Sequence, residues 1–198
     1  MDRFRFFDIL ISFIALLLLF PFLIIIFLFI SLDSKGAAIF RQARVGLNNT
    51  DFILFKFRTM FPGTGKKSSL TIGERDARIT KVGYFLRKWK LDELPQLWNV
   101  LIGDMSMVGP RPELRKYVNY YTLSEMEILK TKPGITDYAS LRFRNEAKVL
   151  SEQNEPEAYY IKVILPEKIT LNKYYIQGKT LKNYFRILLN TILSIIKA

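Results

Sequence analysis

The chain has 198 residues, enough for one domain with a core, and its 30 Lys and Arg against 18 Asp and Glu give a formal net charge of +12. It contains no Cys and no His, which excludes disulfides, thiolate nucleophiles, Ser-His-Asp triads and ordinary zinc sites. Any catalysis must therefore use carboxylates, Lys, Tyr, hydroxyls or an oxygen-bound metal such as Mg²⁺. The whole positive excess lies on residues 33–198, a distribution that suits nucleic acid, anionic lipid headgroups or phosphorylated substrates.

The N-terminal segment, residues 1–34, is predicted to lie in lipid. Residues 9–32 carry no charge, and as a helix they would be about 36 Å long, enough to cross a hydrocarbon core. Pro21 falls near the middle, where it removes a backbone hydrogen bond. Two arrangements remain open: a kinked helix that spans the bilayer, and a helix broken at Pro21 that enters and leaves by one face. Basic residues on both flanks favour the second: Arg3, Arg5, Lys35, Arg41 and Arg44.

Residues 36–60 alternate in the manner of two strands, and the Asn-Asn turn between them predicts a β-hairpin. Lys56 and Arg58 are two residues apart in the second strand, so the pattern predicts that they project from the same face. The Gly/Pro/Ser-rich loop that follows is predicted to be mobile. It does not have the spacing of a P-loop at Gly63, Gly65 and Lys66.

Two helices are predicted around the stretch "WKLDELPQLWNV". The first covers residues 79–88, and the second begins near residues 92–94 because Pro95 fits only the first turn of a helix. This start would place Asp92 and Glu93 at the positive end of the helix dipole. The residues alone leave two interpretations open, an acidic helix cap and an acid pair with a chemical function.

Three later segments carry basic side chains. In "VGPRPE" the prolines on both sides stiffen the backbone around Arg111, and a pre-organised guanidinium matches phosphate, although a stiff surface turn remains the alternative. The loop "KPGITDYASLRFRNEA" carries Arg142 and Arg144. Residues 181–198 form a basic amphipathic pattern, which predicts a helix that either packs on the core or lies in the membrane interface.

Several blocks occur in a recognisable order: the lipid segment with its central proline, then "KFRTM", "LDELPQLWNV", "GDMSMVGPRPE" and "KPGIT". Over roughly residues 3–175 they resemble the bacterial sugar transferases of the monotopic phosphoglycosyl transferase family. The chain is similar to the minimal, bacillosamine-type form, without the extra transmembrane domain of longer relatives. The resemblance implies a mostly helical α/β fold: a re-entrant membrane helix over 1–34, a cytoplasmic catalytic domain with a short β-hairpin over 35–180, and an interfacial amphipathic helix over 181–198.

The resemblance also implies a reaction at the cytoplasmic face of the bacterial inner membrane. A sugar-1-phosphate moves from a UDP-sugar to polyprenyl phosphate, giving polyprenyl-diphosphate-sugar and UMP. The family's motif implies that Asp92 is the nucleophile that carries a covalent phosphosugar, and that Glu93 is associated with Mg²⁺. The basic residues expected to offset phosphate charge are Arg111, Lys56, Arg58, Arg78, Arg87 and Arg144.

The sequence departs from the family pattern at three positions. Phe20 stands where the family has a serine before the proline. Asp137 and Tyr138 stand where the bacillosamine-type pattern has glycine and tryptophan, which predicts a different donor sugar if that loop reads the sugar.

Two rival interpretations remain. One is a non-catalytic, membrane-anchored basic module that binds anionic lipid or nucleic acid, and the aromatic residues do not interleave with basic ones as nucleic-acid stacking would need. The other is a transferase whose first helix spans the membrane. The sequence leaves a homodimer open.

Overall fold

The computed structural model describes residues 3–64, 70–73 and 76–197, so Gly65 and Lys66 of the predicted loop lie outside the described residues. The chain starts with one long helix, α1 (Arg3–Asp33), and is mostly helical with two small two-stranded sheets. The elements that follow are β1 (Ile39–Val45), β2 (Asp51–Phe57), α2 (Lys81–Lys88), α3 (Gln96–Ile102), β3 (Ser106–Val108), α4 (Arg115–Val118), β4 (Gly134–Thr136), α5 (Tyr138–Arg142), α6 (Glu146–Ser151), α7 (Pro156–Tyr159), α8 (Leu165–Gln177) and α9 (Leu181–Ile196). Short 3₁₀ turns cover Leu47–Asn49, Leu91–Glu93 and Met126–Lys130, and a π-helical turn covers Tyr160–Ile164.

The helix α1 is long and apolar enough to cross a membrane, and it continues without interruption through Pro21. The predicted re-entrant course stays a prediction, whereas no interruption of the helix is present at this proline. The physical reason is that proline removes only one backbone hydrogen bond, and the apolar residues around it offer no polar group on which a loop could close. Most side chains in the central part of α1 are exposed, and its buried residues lie towards the two ends: Asp8, Ser12, Ile26 and Ile30.

The N-terminal end of α1 is fixed to the rest of the domain by two charged side chains. The guanidinium of Arg5 donates to the carbonyls of Val100 and Leu101, and so covers the C-terminal end of α3. Asp8 is 2% exposed, and its Oδ1 accepts three hydrogen bonds from two other elements. The donors are the Ser106 hydroxyl at 2.9 Å, the Met107 N–H at 2.8 Å and the Tyr184 hydroxyl at 2.8 Å.

The C-terminal end of α1 is fixed in the same way. The carboxylate of Asp33 accepts from the N–H of Val82 in the first turn of α2, at 3.2 Å. The buried guanidinium of Arg58 donates to three carbonyls at the end of α1, so it closes that helix end. These carbonyls belong to Ile30, Ser34 and Lys35. Both ends of the apolar helix therefore lie on one globular domain.

The predicted β-hairpin is confirmed, with β1 and β2 antiparallel and Val45 opposite Asp51. The turn between them contains Asn48 and Asn49 at φ of 54° and 61°, the left-handed conformation that asparagine tolerates. The parallel pairing of β3 with β4 was not predicted, because each of these strands is only three residues long and sits among loops.

The predicted C-terminal helix is confirmed as α9, with Thr180 as its N-cap. Its packing on the core is confirmed, and its place in the membrane interface stays a prediction. One face packs Tyr184 and Ile187 into the core beside Val108 and Tyr175. The opposite face exposes a row of apolar side chains, as an interfacial helix would: Phe185, Leu189, Ile192, Leu193 and Ile196.

Candidate active site

The acid pair lies in a tight reversal between α2 and α3. Lys90 adopts a left-handed conformation at φ 55°, and its carbonyl accepts from the N–H of Glu93 at 3.3 Å, which closes the 3₁₀ turn Leu91–Glu93. Leu91 and Leu94 anchor this turn in the apolar cluster formed where α1 packs on α2. The cap residue of α3 is Pro95, without a side-chain cap, so the interpretation of the acids as a helix cap is wrong.

Glu93 is the paired member. Its carboxylate accepts hydrogen bonds from both terminal nitrogens of Arg111. Nη1 donates to Oε2 at 3.0 Å and Nη2 donates to Oε1, in the bidentate arrangement that suits these two groups. Oε1 also accepts the ammonium of Lys56 at 3.2 Å. Burial alone would raise the pKa of Glu93, but Arg111 and Lys56 outweigh it and hold this pKa well below its usual value.

Asp92 is the unpaired member. It is 8% exposed, yet its carboxylate makes no hydrogen bond and no ion pair with any residue in the described part of the chain. Burial raises its pKa, the charge of Glu93 raises it further, and Lys56, Arg87 and Lys90 oppose the rise only in part. The two adjacent carboxylates thus have different environments: Glu93 is neutralised by two cations, and Asp92 has no direct partner among the described residues.

Lys56 projects from β2 towards the acid pair. Burial is the main cause that lowers the pKa of its ammonium to about 8, and the nearby guanidinium of Arg111 lowers it further. The charges of Glu93 and Asp92 raise this pKa but do not outweigh the burial. The pKa of Lys56 thus lies near the physiological range.

Arg111 is held by backbone contacts between the loops that contain "GPRP" and "KPGITD". The N–H of Gly109 donates to the carbonyl of Thr136 at 3.0 Å, and the N–H of Arg111 itself donates to the carboxylate of Asp137 at 3.2 Å. A Cβ on Gly134 would lie 2.0 Å from the nitrogen of Gly109, so only glycine permits this approach. The expected rigidity of Arg111 therefore comes from these contacts as well as from its prolines.

Arg87 reaches the same region from α2. Its Nε donates to the hydroxyl of Thr59 at 3.0 Å and its Nη2 donates to the hydroxyl of Thr71 at 3.1 Å. Burial lowers the pKa of Arg87, and Asp92 is the charge that opposes this most strongly. Asp92 and Arg87 are thus close enough to interact electrostatically without forming an ion pair.

The other predicted phosphate-binding residues do not contact the acid pair in the described structure. Arg58 is engaged at the end of α1, so it does not project beside Lys56 as the strand pattern predicted. Arg78 binds the carboxylate of Asp76 and the carbonyl of Leu70, which orders the segment before α2. Arg144 is half-buried after α5, and its predicted role stays a prediction.

The two departures at Asp137 and Tyr138 have a structural account. The Asp137 carboxylate is fully buried, where it caps α5 through the N–H of Ser140 and holds the N–H of Arg111. Tyr138 packs its ring against Tyr174 and Tyr175, with centroids 5.7 and 6.4 Å apart. Both side chains are therefore engaged inside the fold.

Sequence reasoning missed Asp137, Thr59 and Thr71 as residues that shape the site. The pattern Asp137-x-x-Ser140 before a helix is an N-cap signal that could have indicated the first. No local signal marks the threonines, since their partner Arg87 is 28 and 16 residues away.

An apolar helix long enough to cross a membrane is joined to a basic domain, in which a buried acid pair lies among cations. The chain belongs to the bacterial sugar transferase family, which matches residues 3–198. The chain is similar to three curated relatives, and in each case it covers less than two thirds of the relative's own length.

The UDP-N-acetylgalactosamine-undecaprenyl-phosphate N-acetylgalactosaminephosphotransferase of Aeromonas hydrophila is 38% identical over 160 residues, which is 78% of this chain and 38% of that protein. The UDP-glucose:undecaprenyl-phosphate glucose-1-phosphate transferase of Escherichia coli (strain K12) is 40% identical over 156 residues, 75% of this chain and 33% of the relative. The enzyme of the same name from Caulobacter vibrioides is 35% identical over 179 residues, which is 89% of this chain and 63% of the relative.

Proposed function

We propose that this protein transfers a sugar-1-phosphate from a UDP-sugar to undecaprenyl phosphate, as the first membrane step in the assembly of a bacterial glycan. The observation that carries the proposal is the asymmetry of the acid pair: Glu93 is bound by two cations, and Asp92 is buried with no hydrogen-bond or ion-pair partner among the described residues. The family and the names of the relatives support the same substrates.

Asp92 acts as the nucleophile. A carboxylate oxygen attacks the phosphorus that carries the sugar, the bond from this phosphorus to the bridging oxygen breaks, and UMP leaves with the electron pair. The product is a mixed anhydride between the sugar phosphate and Asp92, which splits one displacement into two. An oxygen of undecaprenyl phosphate then attacks the same phosphorus and releases the carboxylate, so neither displacement needs a proton from a histidine.

The cations around the pair stabilise the charge that gathers on the phosphoryl oxygens. Phosphoryl transfer depends mainly on positioning and on charge neutralisation. Lys56 and Arg87 are the cations that most lower the pKa of Asp92, while Arg111 holds Glu93 and keeps it ionised. Arg111 therefore fixes the geometry of the pair, and Arg87 and Lys56 meet the donor's diphosphate.

The residues present fit a Mg²⁺ ion that is held in part by the substrate. Among the described residues no group of three acidic side chains could enclose a metal, but Mg²⁺ is commonly bound by one or two carboxylates plus substrate phosphates. Glu93 would hold the ion by giving up its contact with Lys56, which leaves the carboxylate of Asp92 for the attack on phosphorus. When bound, the ion neutralises charge on the diphosphate.

The acceptor is brought to the site by the membrane contact of α1, which we propose to be re-entrant. Arg5 reaches the carbonyl of Leu101 at the end of α3, whereas Ile26 packs in one cluster with Leu94 at its start. A straight helix would separate Arg5 from Ile26 by about 31 Å, but seven helical residues separate Leu94 from Leu101 by only about 10 Å. A bend in α1 near Pro21 accounts for both contacts.

This topology leaves both ends of α1, and the catalytic domain, on the cytoplasmic face of the inner membrane. The exposed apolar face of α9 then lies in the interface, and membrane lipids are a partner of both helices. The rival of a non-catalytic basic module is not favoured, because it gives no reason for an unpaired buried acid. A homodimer stays a prediction.

The decisive experiment uses the purified protein with Mg²⁺ and a panel of UDP-sugars, without acceptor. Intact-mass measurement should reveal a sugar-phosphate adduct with one or more donors. The adduct should be absent in Asp92→Asn and present in Asp51→Asn, a control at an exposed acid. Absence of an adduct with every donor, together with no UMP release after undecaprenyl phosphate is added, would refute the proposed function.

A further inference from the structure

Two threonine hydroxyls hold Arg87. The Thr59 hydroxyl accepts from Nε and the Thr71 hydroxyl accepts from Nη2, and both contacts are near 3 Å. Among the described residues no other side chain or carbonyl takes a hydrogen bond from this guanidinium. It has five N–H donors, so most remain for a ligand.

The choice of acceptor matters for the charge of the guanidinium. Arg111 and Arg78 are each bound by a carboxylate, Glu93 and Asp76, which neutralises most of their charge locally. A hydroxyl is a neutral acceptor: it orients the guanidinium but leaves its full positive charge for another anion. Arg87 is thus both fixed in place and electrostatically available.

The backbone around Thr59 supports this arrangement. The carbonyl of Thr59 accepts from the N–H of Thr80 at 3.0 Å, and Gly83 packs so closely that a Cβ there would lie 2.1 Å from that carbonyl oxygen. Arg87 is four residues after Gly83, on the same face of α2. The missing side chain at Gly83 therefore lets α2 approach Thr59, and this approach brings Arg87 to the threonine hydroxyl.

Thr71 is held from both sides. Leu70 is buried in the largest apolar cluster, beside Tyr117 and Ile128, and the N–H of Gly73 donates to the carbonyl of Ala147 at 2.8 Å. The second hydroxyl is thus carried by a short segment that is anchored on the core next to the site.

We propose that Thr59 and Thr71 are positioning residues, whose hydroxyls fix the guanidinium of Arg87 so that it meets the donor's diphosphate. This inference rests on the proposed function. Holding the side chain in place before binding spares the entropy of ordering it when the phosphate arrives, which is large for arginine. The same placement keeps the positive charge where negative charge accumulates as phosphorus is attacked.

The test compares Thr59→Val and Thr71→Val, which keep the side-chain shape and remove the hydroxyl, with Thr59→Ser, which keeps the hydroxyl. The rate of adduct formation should fall about tenfold in each valine variant and about a hundredfold in the double variant. Thr59→Ser should stay within about twofold of the wild type. Thr170→Val serves as the control, because this threonine is exposed on α8 and its hydroxyl donates to the carbonyl of Pro166 within the same helix.

A double-mutant cycle separates positioning of Arg87 from general support of the fold. In an Arg87→Ala background the valine substitutions should have no further effect on the rate. Equal losses in both backgrounds, or wild-type rates in both single valine variants, would overturn the inference. Thr71→Val and Thr59→Ser keep the test informative if Thr59→Val fails to fold.

Binding provides a second readout that does not need turnover. UDP should raise the melting temperature of the wild-type protein, and this increase should shrink in the valine variants and in Arg87→Ala. If the wild type forms no adduct and releases no UMP, the proposed function fails while the UDP measurement still decides the inference. A melting temperature that UDP does not change in the wild type, or changes equally in all variants, contradicts it.

Discussion

Two buried aspartates in this chain have opposite surroundings. Asp8, on the apolar helix, is 2% exposed, and three donors converge on one of its carboxylate oxygens. Asp92, at the acid pair, is 8% exposed and has no hydrogen-bond or ion-pair partner among the described residues. The two carboxylates are similar in chemistry and burial, and they differ in whether the fold itself satisfies them.

Under the proposed function, this difference separates a structural acid from the nucleophile. A buried carboxylate costs several kcal/mol unless hydrogen bonds or opposite charges compensate it. The fold compensates Asp8 and thereby joins α1 to β3 and α9. It leaves Asp92 without direct partners, an arrangement that reduces stability and that proteins tolerate chiefly at functional sites.

The largest effect should come from Asp92→Asn, which keeps the shape and removes the charge. Turnover should fall on the order of 10³-fold or more, because the attacking oxygen is lost. Stability should rise by about 1 kcal/mol, since the raised pKa of Asp92 shows that its ionised form is disfavoured by the fold. UMP release and thermal unfolding measure the two quantities, and a variant that is both inactive and less stable would contradict the comparison.

The next effect should come from Arg111→Ala, which gives Glu93 an environment closer to that of Asp92. The pKa of Glu93 should rise, because Arg111 is the cation that lowers this pKa most. Turnover should fall about a hundredfold while the protein stays folded and membrane-bound, as the geometry of the pair is lost. Arg115→Ala, at an exposed ion pair with Asp51, is the matched control, and unchanged turnover in Arg111→Ala would mean that this arginine only stiffens its loop.

A smaller effect is expected from Asp8→Asn. All three donors bond to the same carboxylate oxygen, and in the neutral amide each of them loses a charged acceptor, so stability should fall by about 2 kcal/mol. The rate of adduct formation by the folded fraction should change little.

Since the chain has no Cys, a single cysteine at Phe6 can report whether the N-terminal end of α1 becomes accessible from the other side of the membrane.

Asp51→Asn is the control for Asp8→Asn, and it should change stability by less than about 0.5 kcal/mol because this acid is exposed. If Asp8→Asn were as stable as the wild type, the three hydrogen bonds would not be what compensates the buried charge.

Features governed by local physics could be predicted from the sequence. The apolar run gives α1, the Asn-Asn turn gives the hairpin, and the amphipathic pattern gives α9. The acid pair was also visible, since Asp92 and Glu93 are adjacent and rare in a basic chain. The bounds of α3 were less accurate, because Lys90 takes a left-handed conformation that no local rule assigns to lysine.

The division of the pair into one paired and one unpaired acid could not be predicted from the residues. It depends on contacts across the chain, with Lys56 37 residues from Glu93 and Arg111 18 residues from it. The donors to Asp8 lie still further away, up to 176 residues in the case of Tyr184. Such contacts follow from tertiary packing, so only the family resemblance assigned separate roles to the two acids.

The smallest effect near neutral pH concerns Lys56. Burial lowers its pKa to about 8, and we expect this group to set the alkaline side of the activity profile. Its ammonium is charged below this pH and neutral above it, so kcat/KM for the donor should fall as pH rises through about 8, by up to tenfold per unit. Lys56→Arg keeps the charge at higher pH and should move this limb beyond pH 10. Lys130→Arg, at an exposed ion pair, should leave the profile unchanged. A limb near pH 8 that persists in Lys56→Arg would assign it to another group.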